Sequence, residues 1–165
     1  MQLELKSVSY TYVPGTSYSS KAVSDVSLKI EEGEFVGIMG KTGCGKSTLL
    51  QLMAGLLDAD NGRVFLFDED INGKGCNRRK LRESVGVLFQ FPDYQLFETT
   101  VYRDTAFGLK HSGLTKREVE AAVKEAIELV GFDYDKVKDK SPLGFSEEKK
   151  KRLAIAGVLA VKPKI

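Results

Sequence analysis

Residues Gly40 to Ser47 read GKTGCGKS, a G-x-x-x-x-G-K-[ST] spacing of glycines, a lysine and a hydroxyl that suits the binding of phosphate. Glycines let the backbone curl until successive N–H groups converge on one concavity, where they can hold anionic oxygens. The helix expected to follow adds the partial positive charge of its first turn. In such a loop Gly40, Lys41, Thr42, Gly43, Cys44, Gly45 and Thr48 would surround the phosphates. Lys46 would reach the β and γ phosphates, and the Ser47 hydroxyl would ligate Mg²⁺. Cys44, at a helix start beside Lys46, is expected to react with alkylating reagents and to be shielded by bound nucleotide.

A phosphate loop works only if a strand delivers it and a helix leaves it. Just before it, EFVGIMG is a short apolar run that predicts a buried strand of a parallel sheet. After it, KSTLLQLMAGL has helical spacing. Upstream, LELKSVSYTY alternates Leu3 and Leu5 with polar residues, and AVSDVSLKI alternates Val26, Leu28 and Ile30. These predict two half-buried strands joined by the turn-rich VPGTSYSS. Downstream, DNG turns into the strand RVFLF, NRRKLRES suits an exposed helix, and VGVLFQ predicts another buried strand. From Thr115 to Val130 the apolar residues Val119, Ala122, Val123, Ala126, Ile127 and Val130 mark one face of a helix capped by Thr115 and closed by Gly131. DYDKVKDKSP reads as a linker at most.

The 165 residues suit one globular domain, and a formal net charge of +2 implies no field that would draw the chain to nucleic acid. The basic clusters Arg78, Arg79, Lys80, Arg82 and Lys149, Lys150, Lys151, Arg152 read as solvated helix faces. Cys44 and Cys76 with a single histidine cannot make a four-ligand zinc site, and they fit a reducing compartment. The opening MQLELKSVSY lacks the apolar region of a signal peptide, and no apolar run approaches the about 18 residues of a membrane span. Any work at a membrane is therefore expected to be peripheral.

Beyond the phosphate loop, SYTYVPGTSY, GIMGKTGCGKSTLLQLMAGLL, VGVLFQFPDYQLFETTVYRDTAFG and SPLGFSEEKKKRLAIAGVLA resemble the ATP-binding subunits of ABC transporters. Within that family the chain resembles the second ATPase subunit of energy-coupling factor (ECF) importers, from Leu3 to Ile165. FQFPDYQLFE is the most specific of these stretches. The resemblance implies that Tyr12 stacks on adenine and that Gln90 reaches Mg²⁺ and the attacking water. It implies that Pro92 to Phe97 form a mobile segment beneath a membrane subunit. ATP and Mg²⁺ would be the cofactors. The partners would be a second ATPase subunit, a transmembrane coupling protein and a substrate-binding membrane protein, at the cytoplasmic face of the membrane, with a vitamin or transition-metal ion as cargo. His111 matches no catalytic position, and Phe107 and Leu109 read as packing residues.

Two departures stand against this pattern. Where the family has Leu-Ser-Gly-Gly-Gln, this chain has Phe145, Ser146, Glu147, Glu148 and Lys149. Those glycines and the serine meet the γ-phosphate held by the opposing subunit. A carboxylate about 4 Å from a phosphate charge would repel it by about 4 kcal/mol at an effective dielectric near 20. As a helix start the same residues are favourable, with Ser146 as N-cap and two acids complementing the dipole. The second departure is that the Asp-Glu pair expected after KPKI is not among these residues, so hydrolysis by this chain alone is expected to be very weak. The fold expected is α/β, a P-loop NTPase core of ABC ATPase type with mainly parallel strands and an antiparallel β segment. Residues 1–100 would form the nucleotide-binding core and 101–161 a helical subdomain, together part of a longer ATPase. A nucleotide-binding module that has lost catalysis and serves as a regulatory or structural partner is the alternative.

Overall fold

The structure, a computed structural model, describes residues 2–73, 76–77, 81 and 83–165, except for the side chains at 92 and 93. The chain divides into two compact units, 1–82 and 83–165. The expected helix NRRKLRES and the basic cluster Arg78, Arg79, Lys80 and Arg82 fall largely or wholly outside the described residues.

In the first unit, strands β1 (Leu3–Tyr12), β2 (Ser20–Ile30), β3 (Asn61–Leu66) and β4 (Glu69–Asp70) form one sheet in the order β2-β1-β3-β4, antiparallel throughout. Leu3 and Leu5 alternate into the core as their spacing predicts, and then the ladder slips by one residue before Val8. Ser7, with φ 48°, sits within this bulge, and its N–H donates to Ser27 Oγ at 3.0 Å. One extra residue sends every later side chain to the opposite face. Leu3 and Leu5 therefore face the core before the bulge and Val8 after it. Val8 is buried as a result, and the rings of Tyr10 and Tyr12 meet edge to face at 5.0 Å on its side of the strand. Gly62 of β3 leaves room for the bulge, since a Cβ there would lie 2.3 Å from the Ser7 carbonyl oxygen and 2.4 Å from that of Lys6.

Helix α1 (Lys46–Met53) buries Thr48, Leu52 and Met53, the face its spacing predicts. Two expectations fail here. Residues 34–40 and 85–90 were expected as buried parallel strands, but neither joins a ladder, and no parallel pair occurs among the described residues. A strand is defined by the neighbour that takes its hydrogen bonds. The strand that follows α1, β3, pairs with β1 and leaves 34–40 without one. Its apolar side chains stand in solvent, with Phe35 102% and Met39 94% exposed.

The second unit is helical, with α2 (Val101–Ala106), α3 (Lys116–Leu129), α4 (Tyr134–Val137) and α5 (Glu147–Ala160). Helix α3 begins where the sequence places it. The Thr115 hydroxyl accepts from the Glu118 N–H, and Glu118 Oε2 accepts from the Thr115 N–H at 2.8 Å. The Thr115 hydroxyl, donating to Glu118 Oε2 at 2.7 Å, and then the Thr115 N–H hold the Glu118 carboxyl below its usual range. Val123, Ala126 and Ile127 pack in one cluster with Leu153, Ala154, Ala156 and Ala160 of α5. Leu109 joins this core, whereas Phe107 stays half exposed with its ring edge-on to Phe97. The supposed linker DYDKVKDKSP instead contains α4, N-capped by Asp133, with Tyr134 and Val137 buried. Arg152 is also not a purely solvated charge, because its guanidinium lies over the Phe132 ring at 4.6 Å and donates to the Val130 carbonyl at 3.2 Å. Among the described residues no helix is long and apolar enough to cross a membrane.

Candidate functional site

The loop from Gly40 to Gly45 leads directly into α1, and Gly45 closes it in the left-handed region at φ 91°. That conformation aims the chain at the helix while the loop rests on β2. A Cβ at Gly45 would lie 2.1 Å from the Ala22 carbonyl oxygen. Within the loop the Cys44 N–H reaches the Lys41 carbonyl at 3.3 Å. Lys46 folds back over the loop, its Nζ donating to the carbonyls of Gly40 and Lys41 at 2.8 Å each and lying 3.6 Å from Cys44 Sγ. An ammonium held at the centre of a ring of backbone groups is a natural counter-charge for phosphate oxygens. Lys41, Thr42, Gly43 and Ser47 are exposed, so a ligand can reach the loop. By helix geometry the first N–H groups of α1 have no intrahelical acceptor, and they add donors at the same place.

Tyr12, to which the resemblance gives the adenine, lies against the helix that leaves this loop. Its hydroxyl and the Thr48 hydroxyl are 3.1 Å apart. One edge of the ring is engaged by Tyr10, and the side chain remains 38% exposed, which leaves aromatic surface for a flat ligand. Sequence reading missed the link between Tyr12 and Thr48. The bulge at Ser7 that makes it possible has only one trace in the sequence, the glycine of DNG opposite it.

These residues fit Mg²⁺ with a nucleotide triphosphate, since Lys46 and the first N–H groups of α1 are donors for anionic oxygens and Ser47 presents an exposed hydroxyl. Alkylation of Cys44 is expected to slow about tenfold when MgATP is present at ten times its Kd. Mass spectrometry of labelled peptides, with Cys76 as the internal reference, checks this. Equal rates with and without nucleotide would place the thiol outside the binding loop.

Gln90 lies in the second unit, exposed, after the stretch 85–89, which joins no ladder. The segment that follows is a 3₁₀ turn at Pro92–Gln95, with the Phe91 and Tyr94 rings edge to face at 6.3 Å. Leu96 is buried, and the N–H groups of Phe97 and Glu98 both donate to Asp104 Oδ1, at 3.0 and 2.9 Å. The far end of the segment expected to be mobile is thus anchored.

At the start of α5, Glu147 and Glu148 occupy the first turn and are exposed. Ser146 has the extended backbone of an N-cap, but its side chain makes no capping hydrogen bond, contrary to expectation. The acids turn toward bases of their own helix, Glu147 to Lys150 at 4.0 Å and Glu148 to Arg152 at 3.9 Å. Such exposed pairs contribute little stability. Their consequence is local, because two carboxylates stand where a helix N-terminus would otherwise accept an anion.

The family profile described as ABC transporter matches residues 23–165. Along its whole length the chain is 46% identical to the energy-coupling factor transporter ATP-binding protein EcfA2 of Clostridium acetobutylicum, of which it spans 58%. It is likewise 46% identical to the EcfA2 of Symbiobacterium thermophilum, spanning 57%. The chain thus covers little more than half the length of these relatives. Among solved structures, cbiO1 of Clostridium perfringens, part of the ABC transporter complex cbiONQ, superimposes with a TM-score of 0.82 at 37% identity over 98% of this chain and 62% of that one. The ATP-binding cassette MJ0796, a dimer bound to ADP and Pi, superimposes with a TM-score of 0.85 at 28% identity over 98% of this chain and 71% of that one.

Proposed function

Since this chain belongs to the ABC transporter family of ATP-binding proteins, we propose that it is the ATP-binding subunit of an ECF-type importer, part of a longer cassette that couples ATP binding and hydrolysis to uptake of a vitamin or metal ion. The observation that carries the reading is the loop itself, with Lys46 bonded to two of its carbonyls at the head of α1. Identity to EcfA2 proteins along the full chain supports the choice of subfamily. The partners are a second ATPase subunit, a transmembrane coupling protein and a substrate-binding membrane protein, with this subunit peripheral at the cytoplasmic face.

The loop N–H groups and Lys46 would bind the phosphates, Tyr12 the base and Ser47 Mg²⁺, and the resemblance also assigns Gln90 a role toward the ion. Mg²⁺, held there, would supply charge neutralisation on the phosphate oxygens. Lys46 would hold the γ-phosphate by a charge-assisted contact, and the resemblance gives the Gln90 amide the attacking water. The Asp-Glu pair that the resemblance places on the next strand would lie in the part of the cassette beyond these residues.

A second reading has its own support, the carboxylates of Glu147 and Glu148. On that reading the chain binds nucleotide and has lost its contribution to a partner's site. One experiment separates the two. ATP turnover is measured in a mixed assembly with a second ATPase subunit, before and after Glu147→Gly and Glu148→Gly together. We expect MgATP binding in both forms and a rise in turnover of roughly tenfold or more in the double variant, equivalent to about 1.4 kcal/mol of barrier. Binding without turnover in either form would favour the degenerate module.

A further inference from the structure

Thr48 is a buried polar side chain on the face that α1 turns inward, only 7% exposed. A buried hydroxyl needs a partner, and within a helix the nearest competitor is the carbonyl four residues back. Here the partner comes from another element, Tyr12 at the end of β1. Tyr12 pairs with Ser20 in the ladder, two residues from Ala22, whose carbonyl abuts Gly45. The end of the β1–β2 ribbon therefore touches the phosphate loop on both sides of Lys46, at Gly45 through packing and at Thr48 through a hydrogen bond. The bulge at Ser7 directs the Tyr12 hydroxyl to this place.

We propose that Tyr12 is a positioning residue for the phosphates as well as a platform for the base: through its hydroxyl it fixes the Thr48 side chain and the first turn of α1, and so raises affinity for the triphosphate whatever base is attached. The proposal rests on the nucleotide-binding reading of the loop, and its test keeps the two apart by using a ligand without a base. Calorimetry of the full chain with MgATP, MgGTP and magnesium tripolyphosphate is run on the wild type, Tyr12→Phe, Thr48→Val and the double variant.

Removing one hydroxyl while keeping the ring should weaken all three ligands by the same factor, roughly fivefold for one hydrogen bond. The ATP-to-GTP ratio should stay unchanged. Tyr12→Phe should cost nothing further in the Thr48→Val background, because the two hydroxyls act as a pair. A structural loss unrelated to the loop would not leave this pattern. The proposal is overturned if Tyr12→Phe weakens ATP and leaves tripolyphosphate untouched, which would assign the hydroxyl to the base alone. It is overturned equally if the penalties of the two single variants add. A wild type that binds neither ATP nor tripolyphosphate sinks the phosphate-loop reading itself and takes this proposal with it.

Discussion

Lys46→Ala should cost the chain about a hundredfold or more in MgATP affinity. The ammonium makes two hydrogen bonds of 2.8 Å to the carbonyls of Gly40 and Lys41, so it already sits within the loop before a ligand arrives. Its removal acts twice. The phosphates lose a charge-assisted partner, worth about 1.5 to 3 kcal/mol, and the loop loses the contacts that hold its carbonyls together. A sum near 3 kcal/mol corresponds to a factor of about a hundred or slightly more. Fluorescence titration with a nucleotide analogue reads this directly. Thermal melting without nucleotide should move little, since Lys46 lies at the surface end of α1 and is not among the buried core residues. A loss below about fivefold would mean that the ammonium stays with its two carbonyls and does not meet the phosphates.

Gly45→Ala should be the most damaging single change in the loop for stability. Gly45 has φ 91° and ψ 6°, a conformation that costs an L-residue roughly 1 to 2 kcal/mol. The steric clash weighs more. The new methyl would sit 2.1 Å from the Ala22 carbonyl oxygen, an obstacle that belongs to strand backbone and cannot rotate away. Either the loop lifts from β2 or β2 bends. With strain and clash together at about 3 kcal/mol, a unit of this size should melt about 10 °C lower or more. Hydrogen exchange should accelerate at the amides of Ala22 and Val23. Nucleotide affinity should fall in parallel, because the displaced segment carries the phosphate donors. Unchanged melting and exchange would show that the loop does not rest on β2 at this point.

How much of this could be read beforehand depends on how local each cause is. The phosphate loop was legible because its chemistry dictates residue types within eight consecutive positions. Helix α3 was legible because its cap, Thr115 with Glu118, and its apolar spacing are both short-range. The rest depended on neighbours. Nothing in EFVGIMG states which segment will lie beside it, so its apolar run could predict a strand but not a ladder. The alternation of β1 pointed to a strand and hid the bulge, since Ser7 is an ordinary residue whose unusual backbone is permitted by Gly62, 55 positions away. Tyr134 and Val137 went unseen as core residues because charged neighbours mask them in sequence. Glu147 and Glu148 were the reverse case: their position after Ser146 pointed to the first turn of a helix, and both occupy the first turn of α5.

The unpaired stretch 34–40 has a consequence for colloidal behaviour. It presents Phe35 and Met39 almost fully to water, outside any ladder. Short apolar stretches of this kind seed stacking between molecules. Glu31, Glu32 and Glu34 stand on one side of it and Lys41 on the other. Such flanking charges act as gatekeepers: stacked copies would bring like charges together at each layer. Solubility of the chain in these 165 residues therefore depends on a few surface charges, and it should fall when salt screens them.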